Sequence, residues 1–156
     1  MEPLTRSLVF DAIHFQPGRT DMTFKALLAS KEGETVSTRL VAFQETDLFD
    51  GDVTVTVEYS NVNYKDAIAV TGRSPVIRHF PLIPGIDFAG IVETSSHPGF
   101  VAGERVLVNG WGLSQTHHGG FAQKARVPAE WLIKIPDVFS TKDAMAIGTA
   151  GYTAAL

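Results

Sequence analysis

The segment Val53-Thr54-Val55-Thr56-Val57-Glu58-Tyr59 constrains this chain more than any other. Apolar and polar side chains alternate along it at period two, the pattern of a strand with one face on a core. That period predicts Val53, Val55, Val57 and Tyr59 facing inward, with Thr54, Thr56 and Glu58 facing out. Asp50-Gly51-Asp52 ahead of it is a turn signal. One half-buried strand is not stable alone, so the rest of the chain must supply a sheet to cover it.

Several further segments qualify. Thr23 to Ser30 reads as a first strand, joined by the turn Lys31-Glu32-Gly33-Glu34 to a second over Thr35 to Phe43. Asn63 to Val70 reads as one or two turns of helix closed by Thr71-Gly72, and Pro75, Pro81 and Pro84 make residues 73–85 irregular. Asp87 to Thr94 returns to strand, with Gly90 marking a bulge or a close backbone approach. Arg105 to Val108, Phe121 to Val127 and Trp131 to Ile135 complete the set, and the glycine-rich residues 109–120 are expected to form a long surface loop. Six or seven short strands joined by Gly/Pro turns define a mainly β fold, a barrel or sandwich with short helices. Near the end, Ser140-Thr141-Lys142-Asp143 has the form of a capping box, and Ala144 to Leu156 reads as an Ala-rich helix interrupted by Gly148 and Gly151.

Composition removes several function classes. A formal charge of −4 with no block of like charges argues against nucleic-acid and anionic-membrane surfaces. Cysteine is absent, which excludes disulfides, thiolate nucleophiles and cysteine-based zinc sites, and fits a cytoplasmic protein. No stretch approaches the roughly 18 to 20 apolar residues of a membrane span. Residues 1–21 lack the apolar run of a signal peptide and are expected to be an extension outside the main fold.

The candidate cofactor and metal motifs are weak. Gly110-Trp111-Gly112 follows a strand, but position 115 is Gln and no helix follows to receive a pyrophosphate. Gly148-Thr149-Ala150-Gly151 is too short for a phosphate loop. His14, His79 and His97 lack metal-like spacing, and the adjacent His117 and His118 are expected to be exposed loop residues.

Polar groups instead crowd Ser60-Asn61-Val62-Asn63-Tyr64-Lys65-Asp66, at the end of the best strand. Tyr64 can donate a hydrogen bond or stack on a planar ring, Asn63 can donate and accept, and Lys65 and Asp66 can pair locally. The same residues equally describe a capped turn whose polar groups satisfy the backbone. The residues themselves leave both readings open.

Four motifs then occur in order: Asn63-Tyr64-Lys65-Asp66, Pro84-Gly85-Ile86-Asp87-Phe88-Ala89-Gly90, Gly119-Gly120-Phe121-Ala122, and Gly148-Thr149-Ala150-Gly151-Tyr152-Thr153-Ala154. Together they resemble the zinc-free medium-chain dehydrogenase/reductase superfamily, in its quinone-oxidoreductase-like branch that includes acrylyl-CoA reductases. The resemblance covers residues 22–156. It implies a GroES-like barrel over 22–139 and a carboxy-terminal helix over 140–156 that leads toward a Rossmann domain, with NADPH in the cleft between the two domains. Zinc-dependent relatives carry Cys where Asn63 stands and a His-Glu pair where Ile86-Asp87 stand, so no metal is expected. The resemblance places Asn63, Tyr64 and Thr153 near the nicotinamide end of the cofactor, with Thr149 in the same matched motif. Tyr64 is the catalytic candidate. The implied reaction is NADPH-dependent reduction of an activated C=C bond in an enoyl thioester or quinone-like substrate, with an acyl-CoA among the candidate small molecules and a homodimer for the complete protein.

Only 21 residues follow Ile135, whereas a single βαβ unit takes roughly 30. The chain is therefore expected to be the substrate-side part of such an enzyme, inactive by itself and unable to hold NADPH tightly. The alternative is a stand-alone barrel that partners a separate nucleotide-binding chain. A purely structural, co-chaperonin-like barrel has no need of residues 148–154.

Overall fold

A computed structural model describes residues 22–156, so the expected extension over 1–21 and His14 lie outside the described residues. Seven strands and two α-helices occur among them, in the order β1 (Thr23–Glu32), β2 (Thr35–Gln44), β3 (Val53–Tyr59), α1 (Tyr64–Thr71), β4 (Asp87–Ser95), β5 (Arg105–Asn109), β6 (Lys124–Val127), β7 (Ile133–Lys134) and α2 (Thr141–Ala154). Strands β1 and β2 form a hairpin, and the other five form a sheet in the order β6-β3-β4-β5-β7. Every strand pairing is antiparallel. Isolated bridges from Ala26 to Ala122 and from Ala29 to Leu82 lay the hairpin across the sheet and give the mainly β barrel.

The valine alternation does its work on β3. Val53 and Val55 are fully buried and pack with Phe88, Val92, Val106, Val108, Ala125 and Val127 from the neighbouring strands. Each such side chain contributes about 1.5–3 kcal/mol on leaving water. A second cluster, Phe24, Ala26, Leu48 and Ile83, seals the space beneath the hairpin. Two expected orientations fail. Thr54 is buried, because Arg126 crosses β3 and donates from Nε to its hydroxyl at 3.1 Å. Tyr59 is 43% exposed. The register of β3 on β4 shifts between Val57 and Tyr59, beside Gly90, and one extra residue ends the alternation.

The two glycine-rich motifs turn out to be partners. Gly119, Gly120 and Phe121 donate their amides to the carbonyls of Ile83, Gly85 and Pro84 at 2.7, 3.0 and 2.9 Å. A side chain on Gly119 would collide with the Gly85 carbonyl, so the two irregular loops approach this closely only without one. Such backbone pairing satisfies polar groups that burial would otherwise strand.

The glycine-rich residues 109–120, expected as a surface loop with exposed histidines, instead pack inward. Leu113, Ser114, His117 and His118 are buried, because a turn bonding Thr116 and His117 to the Gly112 carbonyl folds the segment inward. His118 stacks on Phe49 at 4.2 Å and accepts the Ile83 amide at Nδ1, while His117 Nε2 lies 2.8 Å from the Arg126 carbonyl. Burial, then the neighbouring His117, push the His118 imidazole down to about 4. A histidine held below its unfolded value of about 6.5 contributes stability that is complete above that pH and is lost as pH falls toward 4. Between pH 7 and 5 the unfolding free energy should drop by about 1–2 kcal/mol more in the native chain than in His118→Phe. Parallel urea titrations of the two proteins check this, and equal slopes would contradict it.

Candidate active-site cluster

Helix α1 starts where β3 leaves the sheet. The Asp66 carboxylate turns back to accept the Asn63 amide N–H at 2.9 Å, and Gly72 closes the helix in the left-handed conformation. Asp66 is fully buried and makes no ion pair with Lys65, contrary to the expected local pairing. It accepts instead from Asn63 N, Asn63 Nδ2 and Ile86 N, the last at 2.9 Å. Burial raises its pKa against the opposing pull of these bonds, and the Asp87 charge adds to the rise.

Asp87, the first residue of β4, is the second buried carboxylate. Its Oδ1 accepts from Asn61 N at 3.2 Å, and its Oδ2 accepts from Asn63 Nδ2 and from Thr149 N, both at 3.1 Å. The Asn63 amide nitrogen therefore lies between two carboxylates and gives one hydrogen to each. Only its NH2 end can do this, which fixes the orientation of the side chain and leaves Asn63 an acceptor at most toward any ligand. A carboxamide nitrogen so engaged is no metal ligand, and no group of three or more His, Cys, Asp or Glu with metal-holding geometry occurs among the described residues.

Helix α2 completes the cluster. Ser140 and Asp143 form the expected capping box, with Ser140 Oγ accepting from Asp143 N at 3.1 Å. Ala144 and Met145 pack on Ala89 and Ile135. At Gly148 the backbone leaves helical geometry, with φ 49 and ψ −159. The Thr149 N–H, which a regular helix would give to the Met145 carbonyl, goes to Asp87. The Met145 carbonyl accepts instead from Asn61 Nδ2. Side chains from the β3–α1 loop and from β4 thus replace one broken helical hydrogen bond, which is the physical cause of the kink.

Of the expected site residues, the structure brings Asn63 and Thr149 onto the same Asp87 oxygen. Tyr64 follows Asn63 on the first turn of α1, 83% exposed and with no hydrogen bond among the described residues. Thr153 is exposed one turn beyond Thr149, and its hydroxyl donates to the Thr149 carbonyl at 2.8 Å. Asn61, Asp87 and Asn109 were not among the expected site residues. Asn61 and Asp87 join the cluster as above, and the Thr149 hydroxyl lies 3.4 Å from Asn109 Oδ1. The pairing of Asn61 with Met145 spans 84 positions, beyond the reach of any local pattern, although the density of amides at 60–66 was a signal. The capped-turn reading of that stretch holds for Asn63 and Asp66, and Tyr64 beside them is exposed.

An antiparallel barrel whose rim holds such a polar cluster against a kinked helix is the GroES-like barrel of medium-chain oxidoreductases. Residues 49–137 match the alcohol dehydrogenase GroES-like domain, and the chain belongs to that family. Within the medium-chain dehydrogenase/reductase superfamily it lies in the branch of acrylyl-CoA reductases and quinone oxidoreductases. A probable acrylyl-CoA reductase of Escherichia coli (strain K12) is 50% identical over 130 residues, which cover 83% of this chain and 40% of the relative. The yhdH oxidoreductase of Salmonella enterica, solved in complex with NADP, has a TM-score of 0.81 at 48% identity, over 83% of this chain and 40% of its own. Bacillus subtilis yhfP, solved with NAD bound, has a TM-score of 0.83 at 40% identity, over 86% of this chain and 41% of its own. The chain spans about 40% of the length of these relatives.

Gly148 is the position where the cluster tolerates least. An alanine there would adopt an unfavourable φ, and its Cβ would collide with Asn61 Nδ2. Gly148→Ala should cost about 2–4 kcal/mol, measured by denaturant unfolding. Gly151→Ala, on the same helix with ordinary φ and only the Ile147 side chain nearby, should cost less than about 1 kcal/mol.

Proposed function

We propose that this chain is the substrate-side domain of an NADPH-dependent oxidoreductase that reduces an activated C=C bond in an enoyl thioester or quinone-like substrate, without a catalytic metal. The observation that carries this reading is the pairing of an exposed Tyr64, without a hydrogen bond among the described residues, with an Asn63 whose side-chain nitrogen is already engaged by two buried carboxylates. A metal-dependent site presents ligands to the cleft. This one turns the Asn63 nitrogen inward and offers a phenol instead.

The described residues fit the nicotinamide end of the cofactor but not its phosphates. Tyr64 offers a planar face for stacking, and the Asn63 carbonyl oxygen, the Thr149 hydroxyl and the Thr153 oxygen offer acceptors for a carboxamide. No parallel βαβ crossover with a glycine turn occurs among them, so nothing here holds a pyrophosphate. When bound, NADPH supplies the hydride, which adds at the β-carbon of the unsaturated substrate. The Tyr64 hydroxyl would donate a hydrogen bond to the substrate carbonyl, where charge develops as the enolate forms, and solvent water would supply the proton that the α-carbon takes up. Asn63, Thr149 and Thr153 orient the ring from which the hydride leaves.

The phosphates then require a Rossmann domain, and α2 is the crossover toward it. Support comes from a groove of about 340 Å³ beside α2, lined by Leu107, Ile133, Ile135, Phe139, Ile147 and Tyr152 among others. Ile147 and Tyr152 are more than half exposed on that face, an apolar surface that a packed domain would cover. No helix among the described residues is long and apolar enough to cross a membrane.

The test uses the full-length protein. It should oxidise NADPH with acrylyl-CoA or a benzoquinone, and dialysis against a chelator should leave that rate within about twofold. Tyr64→Phe should lower kcat by about 10- to 100-fold with a smaller change in NADPH affinity. Unchanged kcat would remove Tyr64 from the chemistry. Residues 1–156 alone should bind NADPH far more weakly than the full-length protein in calorimetric titration, and equal affinity would overturn the division of labour proposed here.

A further inference from the structure

We infer that Asp87 is a positioning residue, whose two carboxylate oxygens lock the Asn63 side chain and the kinked half of α2 into one arrangement. This rests on the reading above, in which Asn63, Thr149 and Thr153 face the nicotinamide.

Asp87 is costly to bury. It is fully buried and in no ion pair among the described residues, and a second carboxylate, Asp66, is bridged to it through one amide. A buried negative charge is retained only where N–H groups replace its hydration. Asp87 has three of them, from two elements that flank it: Asn61 N and Asn63 Nδ2 in the β3–α1 connection that leads into α1, and Thr149 N past the kink of α2. Ser60 Oγ also donates to its backbone carbonyl at 2.7 Å. One residue at the start of β4 therefore sets the separation and orientation of the two elements that flank the cleft.

No neutral amide can take its place. Asparagine at 87 has a single acceptor oxygen. With that oxygen toward Asn63 and Thr149, its NH2 group meets the Asn61 N–H, donor against donor. Flipped, it meets both Asn63 Nδ2 and Thr149 N. In either orientation a buried donor loses its acceptor. In the flipped one Thr149 N–H is released, and only the Asn61 bond to the Met145 carbonyl still holds the bend at Gly148. The variant's shape remains close to native, yet the groups meant to orient the cofactor ring are no longer held at fixed positions. Small displacements of that kind act on the rate of the chemical step more than on binding.

Full-length native protein and Asp87→Asn are compared by hydrogen exchange and by steady-state kinetics with NADPH and acrylyl-CoA. In the native protein, peptides spanning residues 146–152 should exchange as slowly as those of β3 and β4, because Thr149 N is tied to a buried carboxylate. Fast exchange there overturns the lock whatever the variant does, including when it fails to fold. In Asp87→Asn, exchange over 61–66 and 146–154 should rise by about tenfold or more while the β1–β2 hairpin is unchanged. At a temperature where the variant is fully folded, kcat should fall by about tenfold or more with KM for acrylyl-CoA within about threefold. A lowered Tm with kcat within twofold would make Asp87 a stabilising residue only and overturn the inference. A fall in kcat without the local change in exchange would overturn it too. If the native protein does not oxidise NADPH at all, the functional reading fails, and the exchange data still decide whether Asp87 holds the two elements.

Discussion

Two buried carboxylates with no cation partner among the described residues hold the rim of this barrel together. Asp66 and Asp87 each accept three N–H groups, and the Asn63 amide is common to both. Carboxyl groups of this kind are expensive to bury, so the donors around them cannot be removed singly without leaving a buried acceptor unmet. That constraint ties the end of β3, the first turn of α1, the start of β4 and the middle of α2 to one point. The valine core beneath makes the sheet stable. The carboxylates decide what the sheet presents at its rim.

The kink in α2 follows from the same point. A helix carrying two internal glycines is already weakened, but weakness does not choose where the chain bends. The bend falls at Gly148 because Asn61 and Asp87 supply partners for the two groups freed there, and because only a glycine leaves room beside Asn61. Interior glycine thus reflects a tertiary contact more than flexibility. The orientation of Asn63 has the same origin: its nitrogen is taken up by the two carboxylates, and Tyr64 beside it stays exposed.

Strand periodicity was legible where hydrogen bonding follows the chain and failed where a distant residue intervened. The alternation of β3 placed Val53 and Val55 correctly but misplaced Thr54, which Arg126 reaches across the sheet, and Tyr59, which lies past a register shift. The capping box at Ser140, the turn at Gly33 and the helix stop at Gly72 were legible because each is set by neighbours within a few residues. His117 and His118 were misread as exposed, since local composition cannot reveal that Phe49 and the Ile83 amide wait on the other side of the barrel. The cluster itself was half visible. Asn63, Tyr64, Asp87 and Thr149 stand in the short motifs that carry the family resemblance, whereas the contacts that Asn61 and Asp87 make reach across 26 to 84 positions.

By itself the sequence determined that this chain forms a mainly β domain with an apolar sheet core, that it holds no cysteine-based metal, and which family its short motifs resemble. These depend on residue identity and near-neighbour spacing, which the chain encodes locally. Only the tertiary structure decided which way the Asn63 amide points, why α2 bends at Gly148, and that Asp87 joins the two. Each requires groups far apart in sequence to meet in a space closed to water, where an unmet hydrogen bond costs most.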